Sequence, residues 1–120
     1  MVHGFMHVEI PSANLQRAGR FYHDVFDWKM NYVAEADYMQ FETGGGINGA
    51  FYHSPDHAGG QGVVVYIQVE DIEGTLEWIN KEGGKTLVPR TVVEKMGSFA
   101  LFRDPDGNVL GIWQNETETG

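Results

Sequence analysis

The stretch Phe102–Gln114, FRDPDGNVLGIWQ, reads as strand, turn, strand. An apolar run ends at Phe102, a polar turn follows, and Val109 to Trp113 form a second apolar run. Pro105 pre-sets one turn dihedral, and Gly107 or Asn108 can take the positive φ that a tight hairpin needs. The turn is ordinary, but Gly111 is not. A glycine inside a strand weakens it and marks a place where something else comes close.

Working outward from that hairpin, Ser98 to Phe102 is the strand that enters it, and Lys85 to Val88 is a short strand before that. Ile72, Leu76, Trp78 and Ile79 recur at helical spacing and stop at Gly83-Gly84, a natural C-terminal signal. Val63 to Val69 opens the half as a strand, so its order is β-α-β-β-β. The N-terminal half repeats this order. Phe5 to Ile10 is a strand pattern, broken by Pro11-Ser12-Ala13-Asn14, where Ser12 or Asn14 can cap a helix. Leu15, Ala18, Phe21, Tyr22, Val25 and Phe26 mark that helix, and Met30–Val33, Tyr38–Phe41 and Ile47–His53 follow as strands. Leu15, Phe21 and Tyr22 fall on Ile72, Trp78 and Ile79 at one constant offset. Asn48-Gly49-Ala50-Phe51-Tyr52 falls on Leu110-Gly111-Ile112-Trp113-Gln114, so Gly111 gains a partner in Gly49. The chain reads as an internal repeat of about 50 residues per half. Module one spans about 5–53, module two about 63–114, and 115–120 is a polar tail, all within one domain, 1–120.

Composition narrows the function classes. The 120 residues are 42% hydrophobic and 12% aromatic, enough for one real core. The formal net charge is −9 with only 8 Lys and Arg, a surface that repels phosphate backbones and argues against a nucleic-acid partner. No stretch is basic and amphipathic or apolar enough to suggest a membrane partner, and the first residues do not read as a signal peptide. The absence of cysteine removes disulfides, thiolate ligands and a thiol nucleophile. A cytoplasmic location is the default expectation.

The duplicated unit, with FYHDVFDW on the first helix and DPDGN before the last strand, resembles the vicinal oxygen chelate superfamily of glyoxalase I, bleomycin-resistance proteins and extradiol dioxygenases. HVEIPSANLQRAGRFYHDVFDWKM and FALFRDPDGNVLGIWQ are most similar to a branch of small glyoxalase-like proteins of mostly unassigned activity. The resemblance covers residues 5–114. It implies an α+β fold: two tandem βαβββ modules forming curled half-barrel sheets around a cavity, with helices outside, commonly as a homodimer. It also implies four metal-ligand positions, which carry over here to His7, to Gly49 (or Asn48, one residue earlier), to Val64 and to Gly111. Only His7 matches. Gly49 and Gly111 then look like carboxylate positions emptied of their side chains. A divalent ion wants three or four converging N/O donors, so no cofactor and no metal site is expected. A closing set would have to draw on Glu9, on Gln68, or on His53 and His57 from a loop; solvated positions are the default for those two histidines and for His23.

Strand alternation suggests a lining. If His7 faces the cavity, so do Phe5 and Glu9; with Val64 go Tyr66 and Gln68; with Gly111 go Val109 and Trp113, and Phe51 by the repeat. Val8, Ile10, Val65, Ile67, Leu110 and Ile112 then lie on the other face, uniformly aliphatic and suited to packing under helices. The cavity set is Phe5, Phe51, Tyr66, Gln68 and Trp113 with Gly49 and Gly111, a lining for a small, partly apolar or aromatic molecule. For any one of Trp113, Tyr66 and Phe51 taken alone, filling the half-barrels as core is the favoured reading. Among Phe5 and Tyr66, desolvation would raise the Glu9 pKa, and His7 could share its proton. Two functions follow: a metal-free small-molecule binding module, or a glyoxalase-type lyase or isomerase using His7 and Glu9 as catalytic acid and base.

Overall fold

The computed structural model describes residues 5–60 and 64–116. Two βαβββ modules follow one another. Module one contains β1 (His7–Ser12), α1 (Leu15–Phe26), β2 (Lys29–Val33), β3 (Tyr38–Glu42) and β4 (Asn48–His53), with a 3-10 turn at Ala34–Ala36. Module two contains β5 (Tyr66–Gln68), α2 (Ile72–Lys81), β6 (Lys85–Val93), β7 (Gly97–Arg103) and β8 (Val109–Asn115). The sheets are ordered β1-β4-β3-β2 and β5-β8-β7-β6, so β1 and β5 are both edge strands. In each module the outer strand runs parallel to the last one, as the connecting helix requires, and the remaining pairs are antiparallel.

Asn14, not Ser12, caps α1: its side chain accepts from the Arg17 backbone N–H at 3.0 Å. Pro11-Ser12 does not break β1, which continues to Ser12; a proline is tolerated because β1 is an edge strand and needs no outward donor there. The strand begins at His7, leaving Phe5 89% exposed. β6 is longer than its sequence pattern, with register shifts between Thr86 and Thr91 where Pro89 interrupts the ladder. Of the Val63–Val69 strand only Tyr66–Gln68 is formed; Val63 lies outside the described residues.

One buried cluster joins the modules. The stripe Leu15, Ala18, Phe21 and Tyr22 packs with Ile10, Phe51, Ile72, Ile79, Phe102 and Ile112. Aromatic rings run through it: Tyr22 stacks on Trp28 at 4.8 Å, and Trp28 on Phe41 at 4.5 Å. Most of the expected aliphatic face lies here: Ile10, Leu110 and Ile112 are buried, and Val8 and Ile67 pack against them, but Val65, expected with them, is exposed and outside the cluster. Trp78, although in register with Phe21, is half-exposed, with the Lys81 ammonium 4.9 Å from its ring centre.

The DPDGN turn closes the two modules onto each other. Asp106 accepts from Ser12 Oγ at 2.7 Å, the Ala13 N–H at 2.8 Å and Arg17 Nη2 at 2.6 Å, all at the β1–α1 corner. Asn108 Nδ2 donates to the Pro11 carbonyl at 2.7 Å. Asp104 accepts from the buried Tyr22 hydroxyl at 3.1 Å and from the backbone N–H groups of Asp106 and Asn108, both at 2.9 Å. Burial pushes the Asp104 carboxyl up to about 6, and the same burial, with Asp104 beside it, raises the Tyr22 phenol well above its usual value.

Candidate functional site

The two edge strands face each other without pairing. Among the described residues no ladder joins β1 to β5. A cleft of 650 Å³ lies along them, walled by Val8 and Ile10 of β1, by Val65 and Ile67 around β5, and by Trp28 and Phe41 of module one. The glycine run Gly44–Gly46 forms its rim, and Thr43, Tyr66 and Gln68 bring its few polar groups. A second cleft of 580 Å³ runs along the same edges and shares Val8, Ile10, Ile47, Val65 and Leu110 with the first. It adds Phe5, His7 and Glu9 on one side and Val64 and Val109 on the other.

His7 and Glu9, two apart on β1, share a face with Tyr38 of β3. The Tyr38 hydroxyl donates to Glu9 Oε2 at 2.6 Å. His7 Nε2 lies 3.2 Å from the same carboxylate oxygen and 3.1 Å from the Tyr38 oxygen. The Glu9 side chain is 45% exposed. This corrects the expectation of a raised pKa: the bond from Tyr38, helped by His7, outweighs desolvation and holds the Glu9 carboxyl below its usual value. The partner phenol shifts the other way, raised because its proton is held by Glu9.

The remaining expected residues separate. Tyr66 and Gln68 lie on the first cleft, and Phe5, His7 and Glu9 on the second. Trp113 is half-buried and lines neither; its Nε1 donates to Asn115 Oδ1 at 2.8 Å. Phe51 is not a cavity residue. It is fully buried, 5.0 Å from the Tyr22 ring centre, because β4 turns Gly49 and Phe51 toward the helices, beside Val8 and Ile10. Gly49 and Gly111 are not equivalent either. Ile10 pairs with Phe51 and Ile67 with Ile112, so Gly111 corresponds to Ala50, one residue from the expected match. A Cβ at Gly49 would collide with the Val8 carbonyl oxygen and come 2.8 Å from the Phe41 ring. At Gly111 it would run into the Tyr66 ring, to within 2.9 Å of Cζ. The strand glycine in the last hairpin therefore makes room for Tyr66.

The positions carried over as metal ligands supply few donors here. Gly49 faces the core, the Tyr66 ring covers Gly111, Val64 offers no donor, and Asn48 Oδ1 already accepts from the Thr43 N–H at 2.9 Å. His7 is left with Glu9, and among the described residues no three His, Asp or Glu side chains converge. The donor set does not fit a family-type divalent ion. The two histidines expected on a loop sit apart: His53 is not on a loop but ends β4, with Nδ1 3.8 Å from Asp37, whereas His57 bonds Ser54 Oγ at 2.7 Å and borders the second cleft. His23 is exposed beside Asp24. Sequence reasoning missed Trp28, Phe41 and Tyr38. Tyr38 carried a signal, since it alternates with Gln40 on a short strand; for the other two the cleft wall is made by tertiary packing alone.

Comparisons with known proteins agree with this architecture. A family model for the Glyoxalase/Bleomycin resistance protein/Dioxygenase superfamily matches residues 4–112. The chain belongs to that superfamily. A glyoxylase-like domain-containing protein of Didymella fabae is 33% identical over 116 residues, covering 88% of each chain. Among solved structures, the fosfomycin resistance protein FosX of Listeria monocytogenes superposes with a TM-score of 0.81 at 17% identity, covering 98% of this chain and 95% of that one. FosX of Mesorhizobium loti gives a TM-score of 0.75 at 22% identity, covering 99% and 97%. At these identities the superpositions show a shared fold.

Proposed function

We propose that this glyoxalase-superfamily chain binds a small, partly apolar or aromatic molecule in the seam between its two modules, without a divalent metal, as a cytoplasmic homodimer. The observation that carries the reading is the 650 Å³ cleft between unpaired β1 and β5, aliphatic and aromatic on its walls with few polar groups. The half-exposed aromatic face of module two, with Tyr66, Phe99 and Trp113, supports the dimer, because a second copy can cover it. Acid/base catalysis by His7 and Glu9 is the weaker reading. A base that must take a proton from carbon works best with a raised pKa, and Glu9 is open to water and held low.

The test uses the neutral fluorophore N-phenyl-1-naphthylamine. Saturable enhancement near one probe per chain is expected, unchanged after dialysis against a chelator. Val65→Asp should abolish it, since Val65 lines both clefts yet lies outside the buried core. Absence of saturable binding would sink the reading, and binding that disappears on chelation would sink its metal-free part. Gel filtration should show a dimer; a monomer at micromolar concentration would remove that element.

A further inference from the structure

The second cleft has an asymmetry that its volume does not reveal. Glu9 is the only formally charged residue among those lining it, and no lysine or arginine does so. Its carboxylate is fixed from one side: Oε2 takes the Tyr38 proton and faces His7 Nε2, while Oε1 has no hydrogen-bond partner among the described residues. Val64 and Val65, leading into β5, and Val109 of β8 line it from module two and are aliphatic. An ionised, pre-oriented carboxylate with one oxygen unpartnered among the described residues, in a cleft also lined by aliphatic side chains, selects a ligand with a cationic head and an apolar body. The overall charge of −9 attracts the same class and repels carboxylates.

We infer that the second cleft takes an organic ammonium ion, its N–H groups donating to Glu9 Oε1 and its hydrocarbon lying along Val64, Val65 and Val109. The inference rests on the proposed binding role of the seam and names the ligand class for it. Tyr38 acts as a positioning residue: it holds the carboxylate through Oε2 and leaves Oε1 for the ligand.

Three ligands with one skeleton test it: 4-phenylbutylamine, 4-phenylbutan-1-ol and 4-phenylbutyrate, each titrated by calorimetry at pH 7. The amine should bind about tenfold more tightly than the alcohol, the worth of one charge-assisted hydrogen bond in a half-open site, and the carboxylate most weakly. Glu9→Gln should bring amine and alcohol to parity with the alcohol unchanged; the side chain is exposed, so the variant should fold. Asp37→Asn removes one negative charge outside the cleft and should leave the amine preference intact. Tyr38→Phe should reduce the preference without abolishing it. The inference is overturned if the alcohol binds as well as the amine, if the preference survives Glu9→Gln, or if Asp37→Asn removes it equally. Failure of all three ligands while N-phenyl-1-naphthylamine still binds would overturn the ammonium assignment and leave the seam intact. Failure of the fluorophore as well would overturn both.

Discussion

The two modules share one order of elements and differ in what their open sheet faces carry. Module one presents His7, Glu9, Tyr38 and Gln40, a polar surface tied by hydrogen bonds. Module two presents Tyr66, Phe99, Leu101 and Trp113, half-buried or exposed and mostly apolar. The faces toward the helices are alike: Ile10 beside Phe51 in one, Ile67 beside Ile112 in the other. A repeated fold keeps the positions that packing constrains, because a core tolerates little change in volume. It leaves the open face free to diverge.

The sharpest test of this contrast is the pair of strand glycines. Gly49→Ala should destabilise the protein by more than about 4 kcal/mol in urea unfolding, since the new methyl meets the backbone carbonyl of Val8, which cannot move aside. Gly111→Ala should cost under about 1 kcal/mol, because the obstructing Tyr66 ring is 49% exposed and can swing away. Equal losses would mean that the two glycines do the same job after all.

Next in size, Phe51→Ala should lose about 3–5 kcal/mol, the cost of a cavity among fully buried rings. Trp113→Ala, on the open face of β8 and only half-buried, should lose about half as much. A Trp113 loss as large as that at Phe51 would place module two's open face in the core and break the comparison.

The smallest effect is a slope with pH. The folded Asp104 pKa of about 6 lies above its ordinary 3.8, so the native state binds this proton more tightly than the unfolded chain. The stability it contributes is complete below about pH 4 and is lost as pH rises through about 6. The urea midpoint of the parent protein should therefore rise, relative to Asp104→Asn, on going from pH 7 to pH 4.5. Glu9, shifted the other way, is present in both proteins and drops out of this comparison. A parallel pH dependence in the parent and Asp104→Asn would show that the buried carboxylate does not titrate across this range.

The fold was legible because its signals are local and repeated. The α1 stripe, the Gly83-Gly84 stop and the aliphatic set Val8, Ile10, Leu110 and Ile112 each follow from periodicity, and each packs as its spacing implies. The site was legible only by half. His7 and Glu9 do share a strand face at the seam, but the match of Gly49 to Gly111 was one residue out, and in a strand one residue reverses the face. That slip put Phe51 in the cavity when it belongs to the core. The Glu9 pKa went astray for another reason: its shift is set by Tyr38, 29 residues away in the chain, which no pattern along β1 records.

By itself, then, the order of residues determined two βαβββ modules, which face of each strand meets the helices, an acidic surface and a chain without thiols. Those depend on neighbours within a few positions and on composition, where side-chain period and charge act directly. Only the tertiary structure decided that DPDGN is a clamp onto the β1–α1 corner, that Tyr66 fills the space above Gly111, and that β1 and β5 stand apart with a cleft between them. Each of these joins residues far apart in the chain, and such contacts are set by how the layers pack, not by the period of any one segment.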